Sequence, residues 1–202
     1  MGFFSIFKAK QNNVNVPIED ISIALLNTFE VYHKRLTEEL LQTQVANKNI
    51  QAEVAIFLYA IVDISAKIFS VNHVAASNLI YEHTIKNIKA ETSLDSFAVF
   101  KRTNLYMEVF LEPDKAKGLW MASSQKFTNP FAACMVAFGD VLTNPQCVEE
   151  IGTYYENFPL NIYGLLDSID FQSKFMKSFD TYQEYISSVA KLIEQMEKCA
   201  KP

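Results

Sequence analysis

The chain has 202 residues, half of them hydrophobic and a fifth charged, with sixteen Phe, nine Tyr, one Trp and only five Gly. That balance belongs to a globular protein with one closed core, and scarce Gly argues against a fold built on many tight turns. A net charge of -5 with scattered lysines argues against a nucleic-acid partner, and three cysteines without CxxC spacing argue against a disulfide framework or a zinc site.

The apolar start is the most unusual segment. Phe3, Phe4, Ile6 and Phe7 precede Lys8 and Lys10, and residues 11–16 then form a polar stretch that reads as a linker. The run is too short for a signal-peptide core, and Ile6 stands where a myristoylation pattern wants Ser or Thr. Four large apolar side chains need a destination. Residues 1–16 are expected to be an arm that docks in a groove of this or a neighbouring subunit, with contact at a membrane surface as the second reading.

Residues 17–202 are expected to form one helical domain. Pro17 suits a first helical position, and Ile18, Ile21, Leu25, Phe29, Tyr32, Leu36 and Leu40 advance by three or four. A second series, Ile50, Val54, Phe57, Ile61, Ile64, Ile68 and Val71, is unbroken. With Leu58, Val62, Ala66 and Phe69 it leaves only a narrow strip for Glu53, Asp63, Lys67 and Ser70, which predicts a central helix. Asp63 and Lys67 also argue against a membrane span and are placed for a local ion pair.

A third helix is expected from Asn72 to about Ala90. Thr92 with Asp95 resembles a capping box for a fourth, whose core face would carry Leu94, Phe97, Phe100, Met107 and Phe110. Glu112-Pro113 ends it. From Asp114 to Thr128 the periodicity fails, and Trp120 there either plugs the core or lines a binding surface. Asn129-Pro130 and Asn144-Pro145 predict two short helices over 130–142 and 145–157. Phe175, Phe179, Tyr182, Ile186, Val189, Ile193, Met196 and Ala200 predict a last helical stretch, which Asp180 and Gln183 could divide. No segment alternates with period two, so the fold class is all-α, a single-domain bundle of about six to eight helices without a sheet.

Catalytic and cofactor motifs are lacking. Glu30 and His33 form the one Glu-x-x-His in the chain, the spacing for two metal ligands on one helix turn, but a di-iron bundle needs that motif twice. No Gly-x-Ser-x-Gly elbow occurs, and no two glycines lie within ten residues, which removes the phosphate and dinucleotide loops. The leading expectation is a non-enzymatic cytoplasmic interaction protein acting through helical surfaces. Its partner is expected to be itself, with another protein as the next candidate, and neither cofactor nor nucleic acid. Phe3, Phe4, Ile6, Phe7 and Trp120 are its candidate contacts. The alternative is a bundle whose internal cavity binds an apolar small molecule or, behind that, a metal for redox chemistry.

Overall fold

Helix α2 (Ile50–Phe69) has almost nothing to offer water, and every other described helix packs against it. The computed structural model describes residues 18–43, 49–69, 73–82, 95–121, 126–156 and 165–200, and the statements below concern these. They form six helices: α1 (Ile18–Leu40), α2, α3 (His73–Ile80), α4 (Ser96–Leu111), α5 (Pro130–Thr143) and α6 (Leu165–Ala200). No strand occurs among them; Val148 and Tyr154 make one isolated bridge. None of these helices is long and apolar enough to cross a membrane.

Residues 52–66 of α2 are all buried except Tyr59, which is half-buried. A side chain on any face of this helix therefore meets protein, and burying each large one contributes about 1.5–3 kcal/mol. Phe57 shows how the layers join. Its ring stacks on Phe138 of α5 at 4.2 Å, while Tyr106 of α4 and Tyr182 of α6 each stand 5.1 Å away. The hydroxyls of α6 find partners: Tyr182 donates to the Phe131 carbonyl and Tyr185 to the Leu58 carbonyl, each at 3.0 Å.

Pairing contacts fix the directions. Arg35 meets Glu184 and Glu39 meets Thr181, so α1 runs antiparallel to α6. Arg102 meets Glu53 and Tyr106 meets Phe57, so α4 runs parallel to α2. Phe131 meets Phe110 and Cys134 meets the Tyr106 carbonyl, so α5 returns antiparallel to α4.

Four local expectations are corrected. Asp95 itself caps α4, its carboxylate accepting from the Ala98 N–H at 2.8 Å, whereas Thr92 and Leu94 lie outside the described residues, as do residues 83–90 of the expected third helix. The face predicted to be core on α4 is core only in its second half: Phe97 is 47% and Phe100 51% exposed, Met107 and Phe110 are partly buried against the core, and the buried face holds Val99, Arg102, Leu105, Tyr106 and Val109. Asn129 caps α5 through the Phe131 and Ala132 N–H groups, but Asn144 makes no such bond. The chain after it makes only the 3-10 turn Pro145–Cys147, then doubles back at Gly152, whose φ of 86° ends any helix. Asp180 does not divide α6, which is one helix of 36 residues.

Helix α5 also needs its one glycine. A Cβ at Gly139 would stand 2.3 Å from the Trp120 indole nitrogen, so that ring packs directly on helix backbone. Gly139→Ala is expected to destabilise the protein by about 1–3 kcal/mol in urea denaturation, despite the better helix propensity of Ala. A gain in stability would show that the indole is free to move aside.

Candidate functional site

Trp120 has the geometry of a plug. It is 2% exposed, donates from its indole N–H to the Val136 carbonyl at 3.0 Å, and meets Phe171 and Phe175 edge-on. The apolar arm with Phe3, Phe4, Ile6 and Phe7 lies outside the described residues. Glu30 is exposed on α1, and His33 stacks on Phe29 while its Nε2 donates to the Gln51 carbonyl at 2.9 Å. The structure thus ties His33 to the start of α2. Among the described residues no group of three His, Cys, Asp or Glu side chains is placed to hold a metal ion. The Asp63–Lys67 ion pair forms at 2.6 Å along the rim of α2.

The polar group that matters most is one turn into α2. Glu53 is buried, and Arg102 of α4 meets it with two bonds, Nε to Oε2 at 2.5 Å and Nη2 to Oε1 at 2.6 Å. A third contact runs from Arg102 Nη1 to the Ala98 carbonyl at 3.3 Å. Burial works against the charged guanidinium, but the Glu53 carboxylate outweighs it and holds the arginine above its usual pKa. Such a two-pronged pair satisfies both ions in a place where either alone would be costly.

A second buried acid organises the opposite wall. Asp140, near the end of α5, accepts from the Gly118 N–H at 3.0 Å, from the Leu119 N–H, and from the Tyr154 hydroxyl at 2.7 Å. One carboxylate therefore holds both the loop before Trp120 and the returning strand-like segment after Gly152. Lys117 adds to this clamp, donating to the Tyr155 carbonyl at 2.5 Å with its ammonium above the Tyr154 ring. Burial pushes Asp140 up to about 7, while Tyr154 and the backbone donors pull it down.

Between the first turns of α4 and the segment 145–156 lies an open groove of about 940 Å³. Phe97, Lys101 and Arg102 stand on one side, and Glu149, Tyr155 and Glu156 on the other. Its mouth is wide and its charges are mixed, a shape that accepts a chain segment or a neighbouring surface better than it encloses a small molecule. The nearby thiols are poor nucleophiles. Burial pushes both Cys134 and Cys147 far above the ordinary thiol range, so they stay protonated. Next to the groove, the outward face of α4 carries Phe97, Phe100 and Leu111, the last 66% exposed, with Ile151 beside Asn104 at 68%.

The chain matches no family model, no curated protein and no solved structure. Its chemistry has to be read from its own residues.

Sequence reasoning passed over Arg102, Asp140 and Tyr154. Two of them left a signal. Val99, Arg102, Tyr106 and Val109 follow a three-four spacing that puts an arginine on an apolar seam, and Asp140 is the one charged residue between Pro130 and Leu142. Tyr154 left none, because its role depends on a turn that periodicity does not describe.

Glu53→Gln or Arg102→Met alone is expected to cost about 3–5 kcal/mol, since each strands a buried charge. Glu53→Leu with Arg102→Met should cost far less than the sum of the single changes. Chemical denaturation of the four proteins in the cycle measures this, and additive losses would mean that the pair is not coupled.

The raised pKa of Asp140 gives a signed pH dependence. A group that holds its proton more tightly folded than unfolded favours the folded state fully at pH below about 4, and this contribution is lost as pH rises to about 7. The loss amounts to roughly 4 kcal/mol at most. Neither Tyr154 nor Cys147, both shifted upward, titrates in that window. Stability of the native protein minus that of Asp140→Asn should therefore fall from pH 4 to 7 and then level off. A difference that stays level across that range would mean that the donors keep the carboxylate ionised throughout.

Proposed function

We propose that this protein is a non-enzymatic, cytoplasmic interaction protein that presents helical surface to a partner and assembles with itself. The observation that carries this reading is the second apolar face of α4. A helix apolar on two opposite sides is built to be covered on both, and the described core covers only one. The open groove beside that face and the protonated, buried thiols fit a surface that binds rather than one that reacts. The buried thiols of Cys134 and Cys147 suit a reducing compartment.

Sedimentation velocity of the full chain at micromolar concentration tests the proposal. A dimer or larger assembly is expected. A monomer throughout the micromolar range would remove self-association from this reading.

A further inference from the structure

We infer that residues 148–156 are a strap held shut by the proton on Asp140: with the proton bound they lie closed on the body of the protein, and its loss releases them and opens the groove they wall. The strap is a small unit of its own. The Glu149 N–H donates to the Thr153 carbonyl at 2.7 Å and the Tyr155 N–H to the Cys147 carbonyl at 3.1 Å, so the chain turns back on itself through Gly152. Polar contacts tie it to the rest of the protein. The Tyr154 hydroxyl donates to Asp140 at 2.7 Å, Lys117 donates to the Tyr155 carbonyl at 2.5 Å, and Asn104 reaches the Ile151 carbonyl at 3.4 Å. Of these three anchors, Asp140 is the buried acid. Val148, Glu149, Tyr155 and Glu156 of the strap line the groove, so releasing it changes the shape that a partner would meet.

Asp140 joins two segments that are not equally fixed. The loop bringing Gly118 and Leu119 is anchored by the Trp120 ring, which is bonded to Val136 and packed on Phe171 and Phe175. The strap sits less deeply, with Ile151 68% and Tyr155 43% exposed. An ionised Asp140 is a buried charge with no paired cation among the described residues, and such a charge favours any motion that lets water in. Water enters where the strap lifts, because the plugged loop stays. A carboxyl with its proton on has no charge to hydrate, and it can give its O–H to the Tyr154 oxygen while keeping the backbone donors. The groups around it do not switch with it. Burial keeps Tyr154 and Cys147 protonated, and Lys117 is spent on the Tyr155 and Glu156 carbonyls. Arg102 of α4 faces Cys147 but is bound to Glu53, and α6 presents Phe171 and Phe175 to Trp120. Closed, Asp140 keeps its proton up to about 7; opened to water it returns to the ordinary carboxyl range. The closed form thus binds the proton more tightly. The open fraction therefore rises roughly tenfold per pH unit toward about pH 7 and then levels.

Hydrogen exchange of the full chain from about pH 5 to 8, read by mass spectrometry and corrected for the intrinsic pH dependence of exchange, tests the strap. Protection of residues 148–156 should fall about tenfold per pH unit and level above about pH 7, while α2 stays more protected at every pH. Asp140→Asn keeps a carbonyl for the backbone donors and has no proton to lose, so it should remove the pH dependence of 148–156. Tyr154→Phe takes one donor from the carboxylate. Asp140 should then keep its proton to higher pH, and the levelling point should move up. That shift decides the matter even if the asparagine variant folds poorly. Level protection of 148–156 in the native protein, the same fall in Asp140→Asn, or a levelling point unmoved by Tyr154→Phe would overturn the strap. So would exchange of 148–156 and α2 at one common rate, which is unfolding of the whole chain rather than release of one segment.

Discussion

A carboxylate buried one turn into the most apolar helix constrains everything packed around it. Glu53 cannot remain charged in that position without a partner, and the partner is brought by α4 as a two-pronged guanidinium. Meeting that requirement sets where α4 lies, that it runs parallel to α2, and which of its sides faces inward. Helix α5 then packs on α4 and on Phe57, and α6 closes over α5 and α2 through Tyr182 and Tyr185. Hydrophobic burial supplies most of the driving force, but it is indifferent to rotation of a helix that is apolar all round. A directional pair is not.

The second half of the molecule is held by the same device in another form. Among the described residues Asp140 has no cation paired with it; it accepts from backbone N–H groups and the Tyr154 hydroxyl. Hydrogen-bond donors in a rigid loop can take the place of a counter-ion, and they specify the path of the chain as well as satisfying the acid. The residues on either side divide the work, since Gly139 lets the Trp120 ring lie on helix backbone while Asp140 holds the loop that delivers it. The groove therefore has two walls positioned by two separate buried acids.

Helix periodicity made much of this legible. The bounds of α1 and α2, the central place of α2 and the long seam of α6 follow from three-four spacing, because those helices meet the core along one stripe or on every side. Periodicity failed in α4 for a physical reason. Counting large apolar residues selects the side with Phe97, Phe100 and Met107, and an arginine counts against the side that is actually buried. The prediction for 145–157 failed differently: Asn144-Pro145 is a helix start only if helix follows, and Gly152 with Tyr154 needs a turn that returns to Asp140. Sites made by pairing across elements were the least legible, since Glu53 and Arg102 are 49 positions apart.

The orientation of α4 also follows from comparing magnitudes. Turning it to bury Phe97 and Phe100 would gain about 1.5–3 kcal/mol for each ring. It would expose Val99, Leu105, Tyr106 and Val109, which offsets that gain, and it would strand Glu53 at a further cost of about 3–5 kcal/mol. The observed rotation wins on both counts, and aromatic side chains are left in solvent as its consequence. Among the described residues Phe97, Phe100 and Leu111 stay about half or more exposed, and the Glu53–Arg102 pair holds the helix in that rotation nonetheless.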